Sequence, residues 1–198
     1  SSPSGAGKTT LVKKISNLRD FSISISYTTR VPRINEINGK DYFFINQKEF
    51  NNLVDKDELL EYASVFNNYY GSSKKKVLDL LKNGRNVIFD IDWQGTKQIK
   101  EQKLNFKLIT FFILPPSKKT LKNRLTEREN NNQQIVNERM KKFDQDIKHW
   151  IDYDYVVIND NLEICLNNII NLIDSNKKNQ KIKFDKEKIK KHVEYLLK

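Results

Sequence analysis

Cysteine is nearly absent from this chain: Cys165 is the single thiol among 198 residues. One thiol cannot build an intrachain disulfide framework, which excludes the small stapled scaffolds of secreted proteins and suits a reducing compartment. Cys165 lies in the apolar run Leu162–Leu166 and reads as a small buried hydrophobe rather than a nucleophile. Long apolar runs are missing as well. None approaches the length of a membrane span and no signal-peptide pattern is visible, so a cytosolic protein without a membrane partner is expected. No internal repeat is apparent. Hydrophobic content of 37% is modest, but it includes 11 Phe, 8 Tyr and 2 Trp, enough for a sizeable core in one domain or in a core carrying small inserted subdomains.

Positive charge is what the chain has in excess, a net of +11. That balance raises nucleic acid as a partner. Its distribution argues otherwise. Residues 176–198 hold nine lysines against Asp185, Glu187 and Glu194, a net of +6, and leave only +5 for the other 175 residues. The excess reads as a solvated C-terminal face, and a site for polyanionic small molecules accounts for part of the remainder. No nucleic-acid partner is expected, because a basic groove with interleaved exposed aromatics is lacking.

The densest motif is Ser2-Pro3-Ser4-Gly5-Ala6-Gly7-Lys8-Thr9-Thr10. It matches the phosphate-binding loop G-x-x-x-x-G-K-[ST], with Ser2 in place of the first glycine. Gly5 and Gly7 permit backbone conformations closed to residues with a Cβ, so successive N–H groups can face one anion. Lys8 adds a point charge, Thr9 a hydroxyl able to ligate Mg²⁺, and the following helix its positive N-terminal end. The plainer alternative is a glycine turn capping a helix. A buried parallel strand precedes such a loop in P-loop folds. Nothing before Ser1 supplies it here, and the expectation is a chain without its natural N-terminus or without that strand.

Further along, Leu11, Val12, Ile15 and Leu18 recur at helical spacing. Phe21–Tyr27 alternates as a strand with one buried face and leads through Ser26 to Arg30 and Arg33, two forks suited to a phosphate or simply a solvated basic loop. Asn38-Gly39 marks a turn before the strand-like Tyr42–Ile45, and a short helix follows Asn46. Tyr69 and Tyr70 before Gly71 are compatible with plain core packing, and a helix runs from Lys74 to about Asn83. Asn86–Asp92 reads as a buried parallel strand that places Asp90 and Asp92 on one face at its C-terminal end, where open α/β sheets bind ligands. A helix from Gly95 and a strand over Leu108–Leu114 complete a second strand–helix–strand unit. Ser117 caps the next helix, with Arg124 and Arg128 one turn apart. Glu129–Gln134 reads as a mobile loop, and a second charged helix carries Arg139. Tyr155–Asn159 is a last strand, Leu162–Ile173 an amphipathic helix, and the lysine-rich end is helical at its close.

Together these stretches resemble guanylate kinase from Ser2 to about Ser175. The matches are SPSGAGKTT, SYTTRVPR, NGKDYFF, LLEYASVFNNYYGSS, DIDWQG, ILPPS, RLTER, NERM and VVIND, in that order. The resemblance implies an α/β fold: a P-loop NTPase core with a five-stranded parallel sheet flanked by helices (residues 1–25, 76–123 and 143–175). It adds a small β-rich GMP-binding subdomain (26–75) and a helical lid (124–142), with a basic C-terminal helix or tail (176–198). It implies the reaction ATP + GMP ⇌ ADP + GDP with Mg²⁺, and dGMP as a second acceptor; monomer and homodimer both stay open.

Carried over residue by residue, Ser2–Thr10 would hold ATP, with Lys8 on the β/γ-phosphates and Thr9 on Mg²⁺. Ser26, Arg30, Arg33, Tyr42 and Tyr70 match positions that hold the GMP phosphate, and Glu61 and Ser72 those that read guanine. A carboxylate accepts from guanine N1–H and the exocyclic amine, a hydroxyl donates to O6, and adenine reverses that pattern at a cost of about 1–3 kcal/mol. Asp90 matches a residue near the guanine, and Asp92 would hold metal-bound water or Lys8. Arg124, Arg128 and Arg139 resemble lid arginines that close over the transferring group. His149 and His192 read as structural or surface residues. The chain departs from the family at Ser2 and at Glu129, where glycine usually follows Arg128. A non-catalytic guanylate-kinase-like module binding a phosphopeptide is the alternative from another class; such modules usually lose the P-loop and lid residues that this chain keeps.

Overall fold

A computed structural model describes every residue of the chain except 181, 183 and 184. The chain divides into two compact units, Ser16–Leu108 and a second made of Ser1–Ile15 with Ile109–Lys198. Helix α1 (Lys8–Leu18) buries Leu11, Val12 and Ile15 of the stripe its spacing predicts, while Leu18, at the helix end, is exposed.

Within Ser16–Leu108, the alternating run Phe21–Tyr27 forms two strands rather than one. Strand β1 (Phe21–Ser24) pairs in parallel with Asn86–Phe89, whereas β2 (Tyr27–Thr28) belongs to a separate four-stranded sheet. The chain changes partners at Ser26, whose carbonyl accepts from the Phe43 N–H. A period of two does not decide which strand lies alongside, and here Ser24, Ser26 and Thr28 are buried while Phe21, Ile23, Ile25 and Tyr27 are only half-buried. The four-stranded sheet then adds β3 (Phe43–Phe44), parallel to β2. Helix α2 (Gln47–Asp55) starts with a full capping box between Asn46 and Glu49. Strands β4 (Leu59–Val65) and β5 (Asn68–Ser73) form a hairpin, completing the order β3-β2-β5-β4. Its turn residues Phe66 and Asn67 both take positive φ, 50° and 58°. That conformation is usually given to Asn-Gly, so no glycine advertises this hairpin.

Ser73 caps α3 (Lys74–Lys82), which is followed by β6 (Asn86–Phe89). The ladder of β6 ends at Phe89, so Asp90 lies past it. Asp92 caps α4 (Trp93–Glu101), which begins two residues before Gly95. Leu60, Val77 and Ile99 form the core of this unit, with Leu81, Val87, Phe89, Ile91 and Leu104 packed around them.

The second unit is built on β7 (Phe111–Leu114), shorter than the run from Leu108 suggests. The Ser1 nitrogen donates to the Phe111 carbonyl and the Ile113 N–H to the Ser1 carbonyl, so Ser1 lies alongside β7. Ser117 caps α5 (Lys118–Arg128), as expected. The polar stretch after it is a tight turn rather than an open loop. Asn130 and Asn131 take positive φ, the Asn131 N–H donates to the Thr126 carbonyl, and Asn132 caps α6 (Gln133–Asp146). Asparagine tolerates the left-handed region and is a strong cap, so the asparagines carry specific backbone tasks. A 3₁₀ segment (Ile147–Asp152), β8 (Tyr155–Ile158), α7 (Leu162–Lys177) and α8 (Lys186–Leu197) complete the chain.

Strands β7 and β8 pair in parallel from Phe111 opposite Tyr155 to Leu114 opposite Ile158. Among the described residues the parallel strands thus form two two-stranded ladders, one per unit, in place of the expected five-stranded sheet. A ladder needs neighbouring strands about 4.8 Å apart and in register, and among the described residues these two parallel pairs outside the four-stranded sheet meet that condition. The core joins Phe112, Leu114, Leu121, Leu125, Val136 and Phe143 to Ile189, Val193 and Leu196. The basic C-terminal end is therefore an anchored helix with an apolar stripe, and not a wholly solvated face. Lys181, Lys183 and Phe184 of that segment lie outside the described residues. No helix among the described residues is long and apolar enough to cross a membrane.

Candidate active site

The loop Ser2–Gly7 opens directly into α1, whose first residues are Lys8, Thr9 and Thr10. Gly5 and Gly7 take φ of +88° and +97°. Space forbids a side chain at both. A Cβ on Gly5 would stand 2.9 Å from Leu125 Cδ2, and one on Gly7 2.3 Å from Asn159 Nδ2. Asn159, 3% exposed, donates from Nδ2 to the Ala6 carbonyl at 2.8 Å and accepts Arg124 Nη2 at its own carbonyl at 3.1 Å. It thus fixes the loop and one arginine together. Sequence reasoning assigned Asn159 no role, although a polar residue closing an apolar strand at its carboxyl end is a recognisable signal. The first turn of α1 contains no acidic residue to offset its positive end. Arg124 Nη1 is buried without a hydrogen-bond partner among the described residues. A buried donor in that state calls for an acceptor from outside the protein, a water or a ligand oxygen.

Arg128 and Arg139, from α5 and α6, converge on one hydroxyl. Arg128 Nη2 and Arg139 Nη1 each donate to Ser4 Oγ at 2.8 Å. Glu129 stands behind them, its Oε1 2.8 Å from Arg128 Nε and 3.3 Å from Arg139 Nε. Burial pushes the Cys165 thiol up to about 11, with the Arg124 charge opposing, so it stays protonated and inert. His192 donates to the Pro115 carbonyl and His149 pairs with Asp152 near the surface, the structural roles expected.

In the unit Ser16–Leu108, Glu61 and Ser72 are cross-strand partners of β4 and β5. Glu61 follows a bulge beginning at Leu59, and such an irregularity re-aims a side chain. Leu59, Leu60 and Glu61 are consequently all buried. Ser72 Oγ donates to Glu61 Oε1 at 2.6 Å, and Ser26 Oγ lies 3.5 Å from Ser72 Oγ. Ser26, expected among the phosphate contacts, therefore shares the Glu61–Ser72 cluster.

Arg30 and Arg33 are joined by a residue the sequence reading overlooked. Glu36 Oε1 accepts from Arg30 Nη2 at 2.8 Å and Arg33 Nη1 at 3.2 Å, and its Oε2 accepts the Arg33 N–H. Burial raises the Glu36 carboxyl, but the Arg30 and Arg33 hydrogen bonds and charges outweigh it and hold the group below its ordinary value. The Arg30 guanidinium lies 5.4 Å from the Tyr42 ring centroid, and Tyr42 meets Tyr70 edge-on at 5.9 Å. Burial, then the Asp90 charge, raises the Tyr42 phenol well above its usual range, so it remains a neutral donor. Asp92 accepts the Gln94 and Gly95 N–H groups at Oδ1 and the Gln94 side chain at Oδ2. Its carboxylate is engaged as a helix cap.

The residues read as ATP-binding thus gather in one unit and those read as GMP-binding in the other. The family model described as guanylate kinase matches residues 1–176. The chain is 46% identical to the guanylate kinase of Buchnera aphidicola subsp. Baizongia pistaciae, over 87% of this chain and 84% of the relative. It is 45% identical to that of Rickettsia prowazekii over 87% of each. The crystal structure of guanylate kinase from Anaplasma phagocytophilum superposes with a TM-score of 0.71 at 32% identity, covering 88% of this chain and 82% of that one. The fold, the loop and the collinear motifs agree with these similarities: the chain belongs to the guanylate kinase family, with the family's α/β fold.

Proposed function

We propose that the chain transfers the γ-phosphoryl group of ATP to GMP, giving ADP and GDP, and accepts dGMP as well. The observation that carries this reading is the buried Glu61–Ser72 pair. Glu61 presents the acceptor that a guanine edge requires, and the Ser72 hydroxyl, whose one proton goes to Glu61 Oε1 here, would become a donor to the base on turning away from that carboxylate. Arg30 and Arg33, already paired through Glu36, with Tyr42 and Tyr70, would take the GMP phosphate; Asp90 and Ser26 would complete the base pocket.

On the donor side, the N–H groups of Ser2–Gly7 and the positive end of α1 would cradle the triphosphate, with Lys8 on the β/γ-phosphates. Arg124, Arg128 and Arg139 would neutralise charge on the transferring group. Phosphoryl transfer depends on in-line positioning and charge stabilisation, and the GMP phosphate is ionised at neutral pH, so no general base is needed. Residues 124–142 would act as the lid and 26–75 as the GMP-binding part around the remaining core, in a cytoplasmic enzyme.

Mg²⁺ fits the residues present. Among the described residues no cluster of three or more His, Cys, Asp or Glu side chains forms a cage, and Mg²⁺ typically sits on substrate phosphates with one or two protein ligands. Thr9 would hold it through its hydroxyl, and the ion would supply positive charge to offset that of the phosphates. Asp92, which caps α4, would reach the ion through a bound water.

The test is ADP release with ATP against GMP, dGMP, AMP, CMP and UMP. GMP and dGMP should dominate; equal turnover of AMP and GMP would overturn the guanine assignment.

A further inference from the structure

We propose that Glu129 is a positioning residue for phosphoryl transfer, holding Arg128 and Arg139 aimed at the phosphate loop before nucleotide arrives. This rests on the reading of those arginines as groups that meet the transferring phosphoryl.

The geometry is a shared pivot. One oxygen of Glu129 faces the Nε edge of both guanidinium groups, at 2.8 Å and 3.3 Å, with the Glu129 side chain 10% exposed. The opposite edges, Arg128 Nη2 and Arg139 Nη1, both point to Ser4 Oγ in the loop. Two cations around one neutral hydroxyl repel each other. The carboxylate behind them offsets that repulsion while leaving the loop-facing donors in place. A phosphate oxygen could replace Ser4 Oγ as their acceptor without loss of the Glu129 contacts.

Two long side chains would then be ordered before substrate binds, which removes part of the entropic cost of assembling the site. Backbone geometry supports the assignment. The left-handed Asn130 and Asn131 and the Asn132 cap set the turn between α5 and α6 and bring the two arginines together at Glu129.

The experiment is steady-state and single-turnover kinetics of the full chain with ATP and GMP for Glu129→Gln and Glu129→Gly, alone and combined with Arg128→Ala or Arg139→Ala. Glu129→Gln should lower kcat about 5–30-fold with the GMP KM within about twofold, and this loss should shrink at least about threefold in either arginine background. Melting temperatures accompany each variant, and Glu129→Gly carries the test should Glu129→Gln not fold. A kcat within about twofold of the wild type, or a loss undiminished in both arginine backgrounds, would overturn the positioning role alone. A wild-type chain that fails to phosphorylate GMP would overturn the functional reading and this inference with it.

Discussion

Ser72 donates its hydroxyl to Glu61 at 2.6 Å across the β4–β5 hairpin, and both side chains are within 3% of complete burial. A buried carboxylate is stable only with compensating partners. Its hydrogen bond from Ser72 holds one oxygen in place beside the surface that the base would occupy. Glu61→Gln should therefore raise the GMP KM at least about tenfold while moving the ATP KM less than about threefold, since a mismatched donor replaces an acceptor. Steady-state kinetics varying each substrate in turn decide this. Equal changes in both constants would contradict base reading.

Gly95 makes room for that carboxylate. A Cβ at this position would lie 2.2 Å from Glu61 Oε2, too close for any real contact. Gly95→Ala, in a helical residue where alanine is otherwise favourable, should displace Glu61 and raise the GMP KM at least about tenfold. The melting temperature should change by no more than a few degrees. An unchanged GMP KM would show that Glu61 can move aside at no cost to recognition.

Lys8 stands at the first position of α1, immediately after Gly7. Lys8→Ala should lower kcat at least about 100-fold, the scale of losing one contact made in the transition state. Near-normal turnover in a coupled assay would remove Lys8 from the mechanism.

Glu36 ties Arg30 to Arg33 and is held below its ordinary value of 4.5. A carboxyl lowered in the folded state contributes stability above its unfolded pKa and loses it as pH falls through the folded one. The stability difference between the wild type and Glu36→Gln, from urea denaturation, should be constant well above the ordinary carboxyl value of 4.5 and shrink as pH falls below it. A difference independent of pH over that window would mean that the ion pairs add nothing to folding.

Much of this protein is legible in residue spacing. The glycines and Lys8-Thr9 of the loop, the stripe of α1, the Asn46 and Ser117 caps and the order of the motifs depend on neighbours within a few positions, and local chemistry decides them. That is why the loop–helix start and the family could be read without coordinates. Other features depend on groups far apart in the chain. Splitting Phe21–Tyr27 between two sheets required knowing which strands lie alongside. The hairpin at Phe66-Asn67 carries no glycine to announce it, and the work of the asparagines after Glu129 follows from φ values that composition does not state. Asn159 reaches Ala6 across 153 positions, and Glu129 becomes a pivot only because Arg139 and Ser4 come to it from other elements. Local spacing names the side chains a site can use, but their partners are settled by burial and charge in three dimensions, where each buried ion or amide must find a compensating group wherever the fold supplies one.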